Sequence, residues 1–156
     1  MENDYLTRAK EIIADIIYLT LATVSAEGEP WNSPVYSAYD KNYNFYWSSA
    51  SMAQHSVNIK ANGQVFTVIY ASKAPEGTGE GVYIKGRAEE LEKEKEIGEA
   101  LALLYGRKNK PAPLAVDFMV PNLRRVYKLV PEQVWMNSDE KDGDYHVDTR
   151  IEVKLI

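Results

Sequence analysis

The chain has 156 residues, 45 % hydrophobic and 26 % charged, with a formal net charge of −5 and no cysteine. This is the profile of an ordinary globular protein with enough chain for one continuous core, so a single domain over residues 1–156 is expected. The acidic balance, without a Lys/Arg cluster, argues against broad binding to nucleic acid; the lack of cysteine excludes disulfides, thiolate zinc sites and a cysteine nucleophile, and suits a cytoplasmic location.

The first residues, MENDYLTRAK, are acidic and polar, unlike a secretory leader, and no apolar run approaches the ~18 residues of a membrane span. Asn3 or Asp4 is expected to cap a first helix, in which Leu6, Ala9, Ile12, Ile13, Ile16 and Ile17 form an apolar stripe at three- and four-residue spacing. Tyr18 to Ser25 turns strand-like, Ala26 to Glu29 is a turn, and Pro30 to Tyr39 completes a hairpin. Pro30 and Pro34 cannot donate to a ladder, which places this second strand at an edge or makes it irregular.

Tyr43 to Trp47 reads as an aromatic strand, broken by Ser48-Ser49-Ala50-Ser51. Ser51-Met52-Ala53-Gln54 has the form of a capping box, and Asn62-Gly63 supplies the residue types that end a short polar helix. A helix start among hydroxyls and free amides suits an anion, with His55 one turn in as a further donor; a plain capped surface helix uses the same residues. Gln64 to Ala71 is an apolar strand, Ser72 to Gly81 a hairpin connection and Gly81 to Leu91 the next strand. Gly77, Gly79 and Gly81 do not form a nucleotide loop, because such a loop opens into a helix and this one opens into VYIKGRAEEL.

Helical spacing returns from Glu92 to Tyr105 (Ile97, Ala100, Leu101, Leu104), stopping at Gly106. Arg107 to Pro113 reads as a basic loop, and Leu114 to Met119 is ambiguous. Arg124 to Val134 alternates as a strand running on to Asn137, Ser138 to Tyr145 is an acidic turn, and Val147 to Ile156 a final strand. Six or seven antiparallel strands with three helices describe an α+β domain with a barrel-like sheet. The only histidines are His55 and His146. There is no H-E-x-x-H helix and no G-x-S-x-G elbow, so no metal site is expected and no catalytic residue stands out. If chemistry occurs, a bound cofactor is expected to carry it.

Four stretches in order carry a family resemblance: YLTLATVSAEGEPWNSPVYSAYD, FYWSSASMAQHSVNI, GVYIKGRAEEL, and VYKLVPEQVWMN followed by DTRIEV. Together they resemble the pyridoxamine 5′-phosphate oxidase-like, FMN-binding split-barrel family. The resemblance implies a mainly antiparallel six-stranded split β-barrel with flanking helices. It also implies a homodimer with FMN at the subunit interface, in a flavin-dependent oxidoreductase acting on a small molecule. A deazaflavin or haem in the same barrel, or a flavin-storing or sensing dimer without turnover, are the alternatives.

By position, Asn32, Ser33, Pro34, Val35 and Ser37 would run along the isoalloxazine and ribityl chain. Tyr46 and Trp47 correspond to the strand end beside the phosphate and ribityl group. The serine-rich mouth that follows, Ser48, Ser49 and Ser51, with Gln54, His55 and Asn58, would hold the phosphate; Trp135 and Arg150 match a tryptophan and an arginine that approach the flavin. The authentic oxidases carry arginine and lysine where this chain has Asn32 and Ser37. They commonly place an arginine–lysine pair at Gln54-His55. Those departures put true pyridoxamine phosphate oxidase activity in doubt more than flavin binding itself.

Overall fold

Alternating burial along the strands determines which face of the sheet becomes core, as in β1 (Tyr18–Val24), where Leu19, Leu21 and Thr23 are buried and their neighbours are not. A computed structural model of the chain describes residues 2–147 and 149–156. After helix α1 (Glu2–Asp15) and β1 come β2 (Pro30–Tyr36), β3 (Ala38–Tyr39) and β4 (Phe45–Ala50), then helix α2 (Gln54–Ala61). β5 (Gln64–Tyr70), β6 (Gly81–Glu90) and helix α3 (Glu94–Arg107) follow, then a 3-10 turn (Ala115–Phe118) and the long β7 (Arg124–Asn137). The chain closes with β8 (Lys141–Asp142), β9 (Tyr145–His146) and β10 (Arg150–Glu152).

Among the described residues the main sheet is antiparallel, eight-stranded and ordered β2-β1-β5-β6-β7-β4-β3, with β10 added on β7. It curls into the expected α+β split barrel; the two strands beyond the expected six are the short β3 and β10. β2, with its two prolines, lies at the edge, where a missing N–H costs no ladder bond. β6 and β7 pair through a register shift at Lys85/Gly86, where Lys85 faces Gln133 and Gly86 faces Pro131. A Cβ on Gly86 would collide with the Val130 carbonyl, so glycine alone permits this approach, and Pro131 sits where the ladder is already interrupted.

One core lies between α1 (Ala9, Ile13) and the inner faces of β1, β4, β5, β6 and β7, around Trp47 stacked on Tyr127 at 5.7 Å. A second lies under α3, where Ile97, Ala100, Leu101 and Leu104 meet Ala38, Tyr46 and Val126. No helix among the described residues is long and apolar enough to cross a membrane.

Several local expectations are corrected. α1 starts at Glu2, so Asn3 and Asp4 lie inside its first turn, and it ends before Ile16 and Ile17. The serines after Trp47 do not break the strand: Ser48, Ser49 and Ala50 pair with Val126, Arg125 and Arg124, a ladder that overrides serine's weak strand preference. Ser51 is no helix cap, because its N–H donates to the Leu123 carbonyl at 2.9 Å and α2 begins only at Gln54. α3 continues through Gly106 to Arg107, and Asn109, with φ 55°, takes the left-handed position beyond it. The acidic turn holds the β8–β9 hairpin, and the final strand shortens to Arg150–Glu152. Asp148 lies outside the described residues.

Candidate functional site

Residues from β1, β2, β4 and α2 meet at the open side of the barrel. Strand alternation aims Ser33 of β2 inward, opposite Leu21, and Ser49 of β4 inward beside Trp47 and Tyr127. α2 then lays His55 and Asn58, three residues apart on one helical face, over them. The His55 ring lies between two hydroxyls, Nε2 at 2.8 Å from Ser49 Oγ and Nδ1 at 3.2 Å from Ser33 Oγ. The Trp31 indole N–H donates to Ser33 Oγ at 3.1 Å. Alongside, Gln54 Nε2 donates to Asn58 Oδ1 at 2.8 Å, and Asn58 Nδ2 to Thr23 Oγ1 at 2.9 Å.

Two hydrogen-bonded rows therefore lead from the first turn of α2 to Trp31 and Thr23. Both of those residues line a groove of about 480 Å3, with Ala22, Asn32, Phe66 and Lys85 among its other walls. Phe66 extends this surface, stacking on Trp135 at 6.2 Å, and the Arg150 guanidinium lies 5.7 Å from the Phe66 ring and 3.9 Å from the Tyr83 ring. The result is a half-open aromatic floor with one lysine and one arginine, joined to a polar interior that holds no fixed charge.

Burial pushes the His55 pKa below the ordinary histidine value, because the imidazolium would lose its water there, so the ring is neutral at pH 7. The α2 N-cap, Ala53, makes no side-chain bond, so the helix start keeps backbone N–H groups without intrahelical acceptors. Hydroxyls, amides and a neutral imidazole there can hydrogen-bond an anion, and the helix dipole favours one.

The residues singled out from the sequence separate into three groups. Ser33, Ser49, Gln54, His55 and Asn58 come together in the bonded rows; Asn32 lines the groove; Trp135 and Arg150 stand beside it through Phe66. Val35 and Trp47 are buried in the first core and Tyr46 in the second, where its hydroxyl donates to Asp40 Oδ2 at 2.9 Å. Ser37 is buried where the chain passes from β2 to β3, and its carbonyl accepts from Arg107 at 3.0 Å. Pro34 is exposed on the edge, Ser51 is tied to Leu123, and Ser48 Oγ is buried without a partner. Thr23, Trp31, Phe66, Tyr83 and Lys85 join the site with no motif of their own in the sequence. Their only signal is alternation: Trp31 adjoins Asn32, and Phe66 and Tyr83 occupy the outward phase of their strands.

A larger depression, about 680 Å3, runs along α2 and the end of β6, but Glu89, Glu90, Glu92 and Glu96 outnumber Lys60 and Lys93 in its lining and disfavour an anion. Among the described residues no group of three or more His, Asp or Glu is arranged to hold a metal.

The sequence profile of the pyridoxamine 5′-phosphate oxidase family matches residues 6–138. No curated protein matches the chain by sequence. Solved structures with the same fold include a candidate 5-nitroimidazole antibiotic resistance protein from Bacteroides thetaiotaomicron, 18 % identical, with TM-score 0.69 over 83 % of this chain and 81 % of that one. A haem-binding protein from Mycobacterium smegmatis is 22 % identical, with TM-score 0.69 over 94 % of this chain and 57 % of the other. The haem storage protein HutZ of Vibrio cholerae is 18 % identical, with TM-score 0.60 over 82 % and 91 %.

Proposed function

The chain belongs to the pyridoxamine 5′-phosphate oxidase family, and from that premise we propose that it binds FMN and acts as a flavin-dependent oxidoreductase on a small molecule. The observation that carries this reading is the continuity of the site. A half-open aromatic groove, walled in part by Trp31 and Thr23, is joined to the first turn of a helix by two hydrogen-bonded rows, Trp31–Ser33–His55 and Thr23–Asn58–Gln54. A flat, amphipathic ring with a polar tail ending in an anion matches that gradient from apolar floor to hydrogen-bond donors.

Phe66, Trp31 and Trp135 would face the ring, with Asn32 and Lys85 at its polar edge. Ser33, Ser49, Gln54 and His55 would receive the ribityl chain and phosphate. A bound flavin supplies hydride and single-electron chemistry. The chain's own part is to orient the ring on the aromatic floor, to keep water from its covered face and, through Lys85 and Arg150, to bias the site toward electron-rich partners. No acid–base residue is required for that role.

The aromatic outer surface of Phe66, Tyr83 and Trp135 is half-buried rather than covered. A second copy packed against it would enclose the ring from the other side, so the active form proposed is a homodimer. A haem-binding dimer is the competing reading, supported by the names of the M. smegmatis and V. cholerae proteins and by the uncharged phosphate end.

Absorption spectra of the purified chain, alone and after incubation with excess FMN, separate these readings. Flavin bands and quenched flavin fluorescence are expected, with oxidation of reduced nicotinamide reporting turnover. A Soret band after incubation with haemin, with no uptake of FMN, would replace flavin with haem.

A further inference from the structure

Every side chain that joins the groove to the first turn of α2 is uncharged in the free protein. Thr23, Ser33, Ser49, Gln54, His55 and Asn58 bond chiefly to one another, and neither row contains a carboxylate, lysine or arginine. The cations of the adjoining elements stand outside both rows. Arg125 stands opposite Ser49 in the β4–β7 register, but its guanidinium donates to Glu90 at 2.9 Å and to the Asn122 and Arg124 carbonyls. Lys60 belongs to the last turn of α2, and Lys85 lines the aromatic groove.

A phosphate at the helix start would therefore meet hydroxyls, amides and a neutral imidazole. A terminal sugar hydroxyl satisfies such partners nearly as well; charge-assisted bonds are what separate the two groups strongly. Resting on the flavin reading above, we infer that this chain holds its flavin by the ring and ribityl chain and barely distinguishes riboflavin from FMN above neutral pH, with His55 adding phosphate selectivity only when protonated.

Burial keeps the imidazole neutral without a ligand, and two hydroxyls satisfy both of its nitrogens. Trp31 N–H donates to Ser33 Oγ, and the Ser33 and Ser49 hydroxyls satisfy Nδ1 and Nε2, one accepting the ring N–H and the other donating its own hydrogen. A second ring proton would turn the donating hydroxyl's hydrogen away from the ring, and burial opposes the charge. A phosphate against the ring reverses that balance, because an adjacent anion favours the imidazolium. Binding of FMN, and not of riboflavin, should then gain from proton uptake as pH falls through the histidine range.

Fluorescence-quenching titrations of the full chain with riboflavin and with FMN, at pH 8 and pH 6, test this. At pH 8 the two affinities should agree within about tenfold, and at pH 6 the preference for FMN should rise about tenfold further. His55→Gln keeps the phosphate's own titration and removes the ring's, so its ratio should stay nearly level. Gln54→Arg, at an exposed position that opens α2, should raise the FMN preference at pH 8 by about tenfold without reference to His55. An FMN preference above about tenfold at pH 8 overturns the inference and leaves flavin binding standing. A rise at pH 6 that His55→Gln shares equally, or no rise at all, removes the role of His55. An unchanged ratio in Gln54→Arg places the tail elsewhere and also overturns it. A chain that binds neither flavin removes the flavin reading itself.

Discussion

Thr67 of β5 is completely buried, and its Oγ1 has no hydrogen-bond partner. The hydroxyl lost its water on folding and gained nothing in return, so Thr67→Val, which keeps the shape, should stabilise the chain by about 1 kcal/mol. A raised denaturation midpoint in urea checks this; a lowered one means the hydroxyl does bond in solution. His55 makes the opposite kind of contribution. Its folded pKa lies below its unfolded one, so the unfolded chain takes up the proton more readily. Stability is then fullest above the unfolded value and falls as pH drops through about 6.5. Urea midpoints at pH 7.5 and 5.5 should show a smaller loss in His55→Gln than in the parent, and equal losses would mean the ring is solvated.

At the scale of elements, α2 begins on Ala53, whose extended backbone is that of an N-cap but whose side chain cannot cap. Ala53→Asp should stabilise the fold by about 1 kcal/mol through the free N–H groups and the helix dipole. The same carboxylate would compete with a ligand phosphate, so FMN affinity should fall as thermal stability rises; gains in both would place the phosphate away from this helix. Arg107 joins three elements. Its guanidinium donates to the carbonyls of Ile13, Ala14 and Ile16 at the end of α1 and to Ser37 beyond β2, at 2.8 to 3.1 Å. Those carbonyls have no other donor along the helix, so Arg107→Ala should cost roughly 2–4 kcal/mol, measured by chemical denaturation. A loss below about 0.5 kcal/mol would mean that water replaces the clamp.

For the whole molecule, the outer sheet surface around Phe66, Tyr83 and Trp135 is the proposed contact between two copies. Phe66 touches Trp135 and lies under Arg150, so Phe66→Glu puts a charge at the centre of that surface without entering the inner core. Light scattering after size exclusion should show a folded monomer with weakened flavin binding, and a dimer unaffected by this change would move the interface to another surface.

Much of this arrangement was legible in the residues. Period-two alternation located β1, β5, β6 and the whole of β7, the prolines marked β2 as an edge, and four stretches in order carried the family. Burial periodicity was enough because each strand must choose one inward face. Local signals failed where a partner strand outweighed them: pairing with β7 drew the serines after Trp47 into β4, and a bond to Leu123 moved the start of α2 from Ser51 to Gln54. The site depends on the same non-local choices. The family resemblance put Val35, Tyr46 and Trp47 near a ligand by position; the curl of the sheet packs their side chains into the two cores, while Thr23, Trp31 and Phe66 line the groove. A strand's sequence specifies that its neighbours alternate; only closure of the sheet determines which phase lines the cavity, because that is set by contacts between segments distant along the chain.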